Sequence, residues 1–445
     1  MDTTSTGAAT PHRLPASDPQ RELLHNEVHA RPPARIRLPT LVTYVAVFNE
    51  DVTREQECEQ LRRLPGQDAL TVDDLQGNFL RLRLPGYTLK WERHTEFTRY
   101  SIVQALPEGC GLGTREPDLL SHIATPPGWL QTIPGRTFAA IQLAMVVGEL
   151  HPLSDGLAQA RTWLGEHTVV ASLMGNNGHS VAVTDFWLRP GGFERMLVIA
   201  PADTSETRAG RIVSRLFELE TYRLMALRAL PVVKQLAPLL AASERQLADI
   251  TAQLQNKSAS DQALLDTLVS LAGGVERATA ENIYRFSATR AYDTLVAQRI
   301  AELRERPIQG TQTLGEFMQR RLSPAMATVA ATAQRLASLS ERITRTSALL
   351  RTRVDIATEE QNQQLLAKLT KGQELQLRLQ STVEGLSIAA ISYYVISLLL
   401  YLGKAGKAAG LPINPEMAAG ALIPLVLWAV WRTTKRIHEK LHAGH

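Results

Sequence analysis

At 445 residues the chain has length for roughly two or three domains. With 44% hydrophobic and 21% charged residues it can bury cores and is not a disordered polymer, and 5% aromatics suits a helix-rich protein better than a β-sandwich. A formal net charge of +4 is too small for a dedicated nucleic-acid binder, whose basic stripe would dominate the balance.

Residues 1–20 are polar and rich in Thr, Ala and Pro, which reads as a disordered tail without the apolar stretch of a signal peptide. The soluble part is therefore expected in the cytoplasm. Cys58 and Cys110 form no CxxC or Cys/His cluster, so they are read as free thiols and not as zinc ligands.

Arg21 to Pro33 reads RELLHNEVHARPP. On a helix Glu22, His25 and His29 share a face, a pattern able to hold a divalent ion. Pro32-Pro33 ends any helix there and no HExxH follows, so a clamp onto the next domain is the favoured reading.

Residues 21–203 read as a cytoplasmic α+β domain with a mostly antiparallel sheet. Leu41–Phe48, Phe79–Leu84, Thr137–Val147 and Arg195–Ile199 are apolar or alternating and rich in strand-forming residues. Thr168–Met174 and His179–Leu188 flank Gly175-Asn176-Asn177-Gly178, a hairpin signal because Asn and Gly tolerate positive φ. Glu55–Leu64 and Ser154–Gly165 supply helices. Trp91 to Tyr100 reads WERHTEFTRY; as one strand it points Glu92, His94 and Glu96 to the same side, a carboxylate–imidazole set that competes with a solvated face of cross-strand ion pairs. Gly109–Gly113 and Leu271–Gly274 lack the strand–helix setting of a phosphate loop, and no Ser or Cys nucleophile motif occurs, so no enzyme activity is expected.

Residues 204–382 read as a helical bundle and stalk. Thr204–Leu254 is helical in pattern, interrupted by Pro231 and Pro238, with Leu240, Leu247 and Leu254 at intervals of seven; Leu264–Arg304 follows. Thr313 and Glu316 have capping-box spacing, and Ser323-Pro324 reads as an N-cap with Pro at the first helical position. No further proline occurs until beyond Leu402, giving a helix on the order of 120 Å if continuous. Val329, Leu336, Ile343, Leu350 and Ala357 repeat at seven, with Ala333 and Leu339 between, before the register shifts to Leu365, Leu369, Leu375 and Leu379. Such a seam seeks another helix, in the same chain or in a neighbouring copy.

Residues 383–403 are predicted as a first transmembrane helix, built on the charge-free run Leu386–Leu402. Residues 404–416 form an external loop, 411–431 an approximate second span containing Pro424, and 432–445 a basic cytoplasmic tail. Lys368, Lys371 and Arg378 precede the pair and Arg432, Lys435, Arg436 and Lys440 follow it, whereas the loop sets Lys404 and Lys407 against Glu416. The positive-inside rule then puts both termini in the cytoplasm of a bacterial inner-membrane protein.

The runs Asn26–Pro32, Trp91–Phe97, Phe217–Arg223 and Ser392-Tyr393-Tyr394 together resemble an uncharacterised bacterial family described as membrane-anchored, with an Asn-Glu-x-His-Ala-Arg-Pro signature. The resemblance covers nearly the whole chain and implies no catalytic residues. In layout the chain also resembles the CorA-type magnesium transporters: a cytoplasmic α/β domain, a stalk helix running into the first of two C-terminal spans, and a short external loop. The Gly-Met-Asn of those proteins is replaced here by Gly403-Lys404-Ala405. The CorA-like layout implies an oligomeric ion channel or transporter, with Ser387, Tyr394, Tyr401 and Asn414 as pore-lining candidates. The other expectation is a membrane-anchored binding, scaffold or sensor protein without transport. The partners expected are the lipid bilayer and further copies of the chain, not nucleic acid, and no cofactor is called for beyond a divalent cation.

Overall fold

The computed structural model describes residue 15 and residues 17–27, 34–165, 167–256, 260–409 and 414–442. The expected tail lies largely outside the described residues, as does His29. The chain divides into two compact units, Met1–Ala252 with Leu268–Thr344, and Gln253–Thr267 with Arg345–His445.

The first unit is built on a nine-stranded sheet in the order β2-β3-β4-β1-β5-β8-β7-β6-β9. Its strands are β1 (Thr40–Phe48), β2 (Phe79–Leu84), β3 (Tyr87–Arg93), β4 (Phe97–Ala105), β5 (Arg136–Val147), β6 (Val170–Met174), β7 (Ser180–Thr184), β8 (Glu194–Ala200) and β9 (Arg306–Pro307). All neighbours run antiparallel except β5 and β8. The expected hairpin forms between β6 and β7, where Gly175 and Gly178 take φ of 78° and 61°. The stretch WERHTEFTRY is not one strand. It is β3, a turn at residues 94–96 closed by His94 N–H donating to Phe97 O at 2.8 Å, and β4. A single-strand alternation therefore never reaches His94 and Glu96.

Helices cover both faces of the sheet. α2 (Arg54–Arg62) and α3 (Leu153–Leu164) lie on one side, in cores around Trp91 and Trp163 respectively. On the other side, α4 (Glu206–Leu227) and parts of α5 (Ala229–Asn256), α6 (Asp261–Leu303) and α7 (Leu314–Ala408) pack onto Tyr44, Leu143, Met145 and Val198. A short helix, α1 (Arg21–Glu27), precedes the sheet, and α8 (Pro415–His442) ends the chain.

Two helix boundaries differ from the sequence reading. The break expected at Pro231 falls one turn earlier, at Arg228. A proline ring crowds the carbonyl four residues before it, here Leu227, where α4 ends; in the first turn of α5 its missing N–H costs nothing. Pro238 sits within α5 without ending it. Likewise α7 starts at Leu314 and not at Pro324. Thr313 and Glu316 form a reciprocal capping box, Glu316 N donating to Thr313 Oγ1 and Thr313 N to Glu316 Oε2, each at 3.1 Å.

In the first unit the early seam of α7 is buried: Val329, Leu336, Leu339 and Ile343. α5 contributes the buried row Leu240, Leu247 and Ile250, and α6 contributes Leu271, Val275 and Ala278. The Arg335–Glu244 ion pair, 2.8 Å, ties α7 to α5 at this level. In the second unit Leu350 is buried, and Arg353 donates to Leu254 O at 2.7 Å and pairs with Asp261 at 3.0 Å. Ala357 and the shifted seam, Leu365, Leu369, Leu375 and Leu379, are exposed along α7.

Candidate functional site

Two of the runs, Trp91–Phe97 and Phe217–Arg223, lie at joints of the fold. On α4, Phe217 stacks on Tyr44 with ring centroids 4.5 Å apart, and Thr221 Oγ1 lies 2.6 Å from the Tyr44 hydroxyl while donating to Phe217 O. Glu218 reaches Arg99 of β4 at 3.6 Å and accepts from Arg299 of α6. Glu92 of β3 sits directly opposite Arg99, accepting from its Nε at 2.6 Å and its Nη2 at 3.0 Å, with Lys90 Nζ 3.0 Å away. Burial would raise the Glu92 carboxyl, but Arg99 and Lys90 outweigh it and hold it at about 2. Glu96 pairs with Arg285 of α6 and stands 4.0 Å from Arg228.

A second charged joint has the opposite character. Glu194 of β8 and Glu220 of α4 are both buried, with one guanidinium, Arg223, serving the pair. Burial, then the Glu220 charge, pushes the Glu194 carboxyl up to about 9, so Glu194 holds its proton at neutral pH.

Of the two candidate divalent-ion sets, the one on Trp91–Tyr100 does not come together. Glu92, His94 and Glu96 diverge: Glu92 is committed to Arg99, Glu96 to Arg285, and His94 stacks on Phe97 at 4.6 Å. Glu22 and His25 line a surface cavity with Ser17, Asp18 and Arg21, and the third member, His29, lies outside the described residues. Among the described residues no group of three His, Cys, Asp or Glu side chains is placed to hold a metal ion. Cys58 and Cys110 are separate, buried free thiols.

The cavity best furnished for chemistry lies where α4 begins beside the β6–β7 turn. It measures about 390 Å³ and is lined by Arg208, Arg211, Arg215 and Arg304, with His179, Ser180 and Glu302. Arg208, Arg211 and Arg215 follow spacings of three and four, so they share one face of α4 with Ile212, while Ala209 and Val213 are buried on the other. Arg215 is engaged by Glu302 at 3.2 Å. Among the described residues Arg208, Arg211 and Arg304 have no carboxylate partner. Ser180 Oγ is buried without a hydrogen-bond partner. Burial, then the neighbouring Arg208, lowers the His179 imidazole below its ordinary value, and its Nε2 lies 3.0 Å from Thr204 Oγ1. Positive charge is thus concentrated at the positive end of a helix dipole with one carboxylate against four guanidinium groups. Sequence reasoning missed this place; the i, i+3, i+7 arginines of α4 were its signal, but Arg304 joins them only through the fold.

The apolar C-terminal helices form a hairpin. A Cβ built on Gly403 would lie 3.3 Å from Pro415 Cβ, and Ser392, Ala419 and Val426 are buried. Ser387, Tyr394 and Tyr401 occupy the exposed face of α7, nearly half a turn away from Ser392 and Gly403. Asn414 immediately precedes α8 and lines a surface cavity with Lys404, Lys407 and Glu416. The helix then continues past Trp431 through the basic segment to His442, with Arg432 over Trp428 and Lys435 over Trp431. Among the described residues three helical stretches are long and apolar enough to cross a membrane: Glu206–Asn256, Leu314–Ala408 and Pro415–Arg436. The apolar window of the first is 33% buried inside the protein, against 6% and 11% for the others.

No curated protein and no solved structure matches the chain. Its α+β region with long apolar helices is matched over residues 16–441 by the family described as protein of unknown function DUF3422, and the chain belongs to that family.

Proposed function

We propose that this is an integral inner-membrane protein anchored by the hairpin of α7 and α8, whose α+β unit binds an anionic ligand in the arginine-lined cavity on the cytoplasmic side. The observation that carries the anchor is the exposed apolar surface of the hairpin: Leu386, Leu398, Leu402, Leu425 and Trp428 face outward, as lipid requires and water does not. Glu206–Asn256 is assigned to the soluble part because Ala229, Val233 and Leu240 are already buried in the fold. Arg432 and Lys435 over Trp428 and Trp431 suit a cytoplasmic interface, where aromatic rings and cations meet headgroups. The experiment is alkaline extraction of membranes holding the full chain. Retention in the pellet is expected, with release to the supernatant when the chain ends at Thr382; release of the full chain would refute the anchor.

A second reading is a CorA-like homo-oligomeric channel. In its favour, α8 leaves the Ser387, Tyr394 and Tyr401 face of α7 open to a neighbouring copy. Lys404 and Lys407 beside Asn414 work against cation passage, because a ring of ammonium groups repels cations. Cation flux from proteoliposomes would favour the channel; a monomer in detergent would exclude it.

A further inference from the structure

Beside the arginine cavity lies a second one of about 630 Å³, lined by Val147, Leu150, Gly178, His179, Pro201 and Ala202 among others. His179 lines both, so the two meet at the end of the β6–β7 turn. One side offers guanidinium groups and a helix N-terminus; the other offers aliphatic side chains and prolyl carbons together with Glu149 and His151. A bare inorganic anion would use only the first. We propose that the paired cavities bind an organic phosphate, its phosphoryl group held by Arg208, Arg211 and Arg304 and its apolar end seated against Val147, Leu150 and Pro201. This rests on the reading of the arginine cavity as an anion site.

The chemistry follows from the residue types. Guanidinium forks match the tetrahedral oxygens of a phosphoryl group and stay charged at every working pH. The buried Ser180 hydroxyl is an available polar group at the same wall. His179, kept neutral by burial and by Arg208, brings no competing charge and joins the two halves. Cavities of about 390 and 630 Å³ exceed what a lone phosphate fills and lie in the range of small-molecule sites.

The test is calorimetric titration of the full chain in a neutral detergent with inorganic phosphate and with phenyl phosphate. Phenyl phosphate should bind on the order of tenfold more tightly, since burying an apolar ring adds to the phosphoryl contacts. The double variant Arg208→Gln/Arg211→Gln should weaken both probes by tenfold to a hundredfold, roughly the worth of a charged hydrogen bond. Val147→Asp should cancel only the phenyl advantage. Equal affinity for the two probes, with arginine dependence kept, would overturn the organic phosphate and leave the anion site standing. Binding of neither probe, or binding indifferent to the arginine variants, would overturn both. Circular dichroism of each variant, matched to the parent chain, separates lost binding from lost folding.

Discussion

Glu92 and Arg99 lie directly opposite each other on β3 and β4 and are joined by two hydrogen bonds, at 2.6 and 3.0 Å, in a place from which water is excluded. Through Arg99 Nη1 and Glu218 the pair is continued into α4, and through Arg299 into α6. The chain of charges fixes the helical layer on the sheet at a set position, which apolar packing alone leaves free to slide.

Glu92→Gln would leave Arg99 buried with its nearest counter-charge 3.6 Å off, at Glu218. A stranded buried charge costs about 3–5 kcal/mol. Thermal unfolding should register that loss. The double replacement Glu92→Met/Arg99→Met should cost far less than the two single changes added together; additive losses would show that the pair is not coupled.

Glu194 gives a pH signature. Its carboxyl rises from an ordinary 4.5 to about 9, so between those values the native chain holds a proton that the unfolded chain releases. Its contribution to stability is complete below pH 4.5 and declines as pH rises toward 9, by at most about 1.4 kcal/mol per unit. Glu194→Gln removes that decline. The melting-temperature difference between variant and parent should therefore grow in the variant's favour from pH 5 to pH 9; a difference independent of pH would contradict a raised Glu194 carboxyl. Glu92 has the opposite sign, its contribution being lost only as pH falls toward 2.

Gly210 is held by proximity. A Cβ there would stand 1.6 Å from the Ala34 carbonyl oxygen, where residues 34–36 cross α4 and Ile36 N donates to Glu206 O. Alanine is the better helix former by about 1 kcal/mol, so on propensity Gly210→Ala should stabilise. Backbone cannot yield as a flexible side chain does, and we expect a net loss of about 1–3 kcal/mol. An unchanged or higher melting temperature would show that residues 34–36 do not lie against the helix.

The two halves of the α7 seam should respond differently. Leu336 and Ile343 are buried within one chain, so Leu336→Ala should cost about 2–5 kcal/mol. Leu369 is 60% exposed, and Leu369→Ala should change stability by less than about 0.5 kcal/mol in a monomer. If copies of the chain associate through the later seam, the second variant instead lowers the particle mass measured by light scattering in detergent.

Much of this was legible in the residues. The heptad Val329, Leu336, Ile343, Leu350 announced a buried helix row, Gly175–Gly178 a hairpin, and Leu386–Leu402 an apolar helix, because each pattern is local and repeats at its element's own period. His94 and Glu96 misled for the complementary reason: a three-residue turn resets the alternation, and Thr95 carries no glycine or proline to mark it. The arginine cavity was hidden because Arg304 is about ninety residues from the α4 arginines, brought back by the Gly175 N to Leu303 O bond at 2.9 Å. Non-local charge gathering of that kind leaves no period in a sequence.

The most direct measurement is the sidedness of the hairpin. Single cysteines placed at Asn414 and at Thr434, in a chain whose Cys58 and Cys110 are replaced by serine, are labelled in intact cells with a membrane-impermeant maleimide. Anchoring by two spans with cytoplasmic termini predicts labelling at Asn414 from outside, and at Thr434 only after the inner membrane is opened. Labelling of Thr434 in intact cells, or protection of both positions until the membrane is opened, would contradict the account.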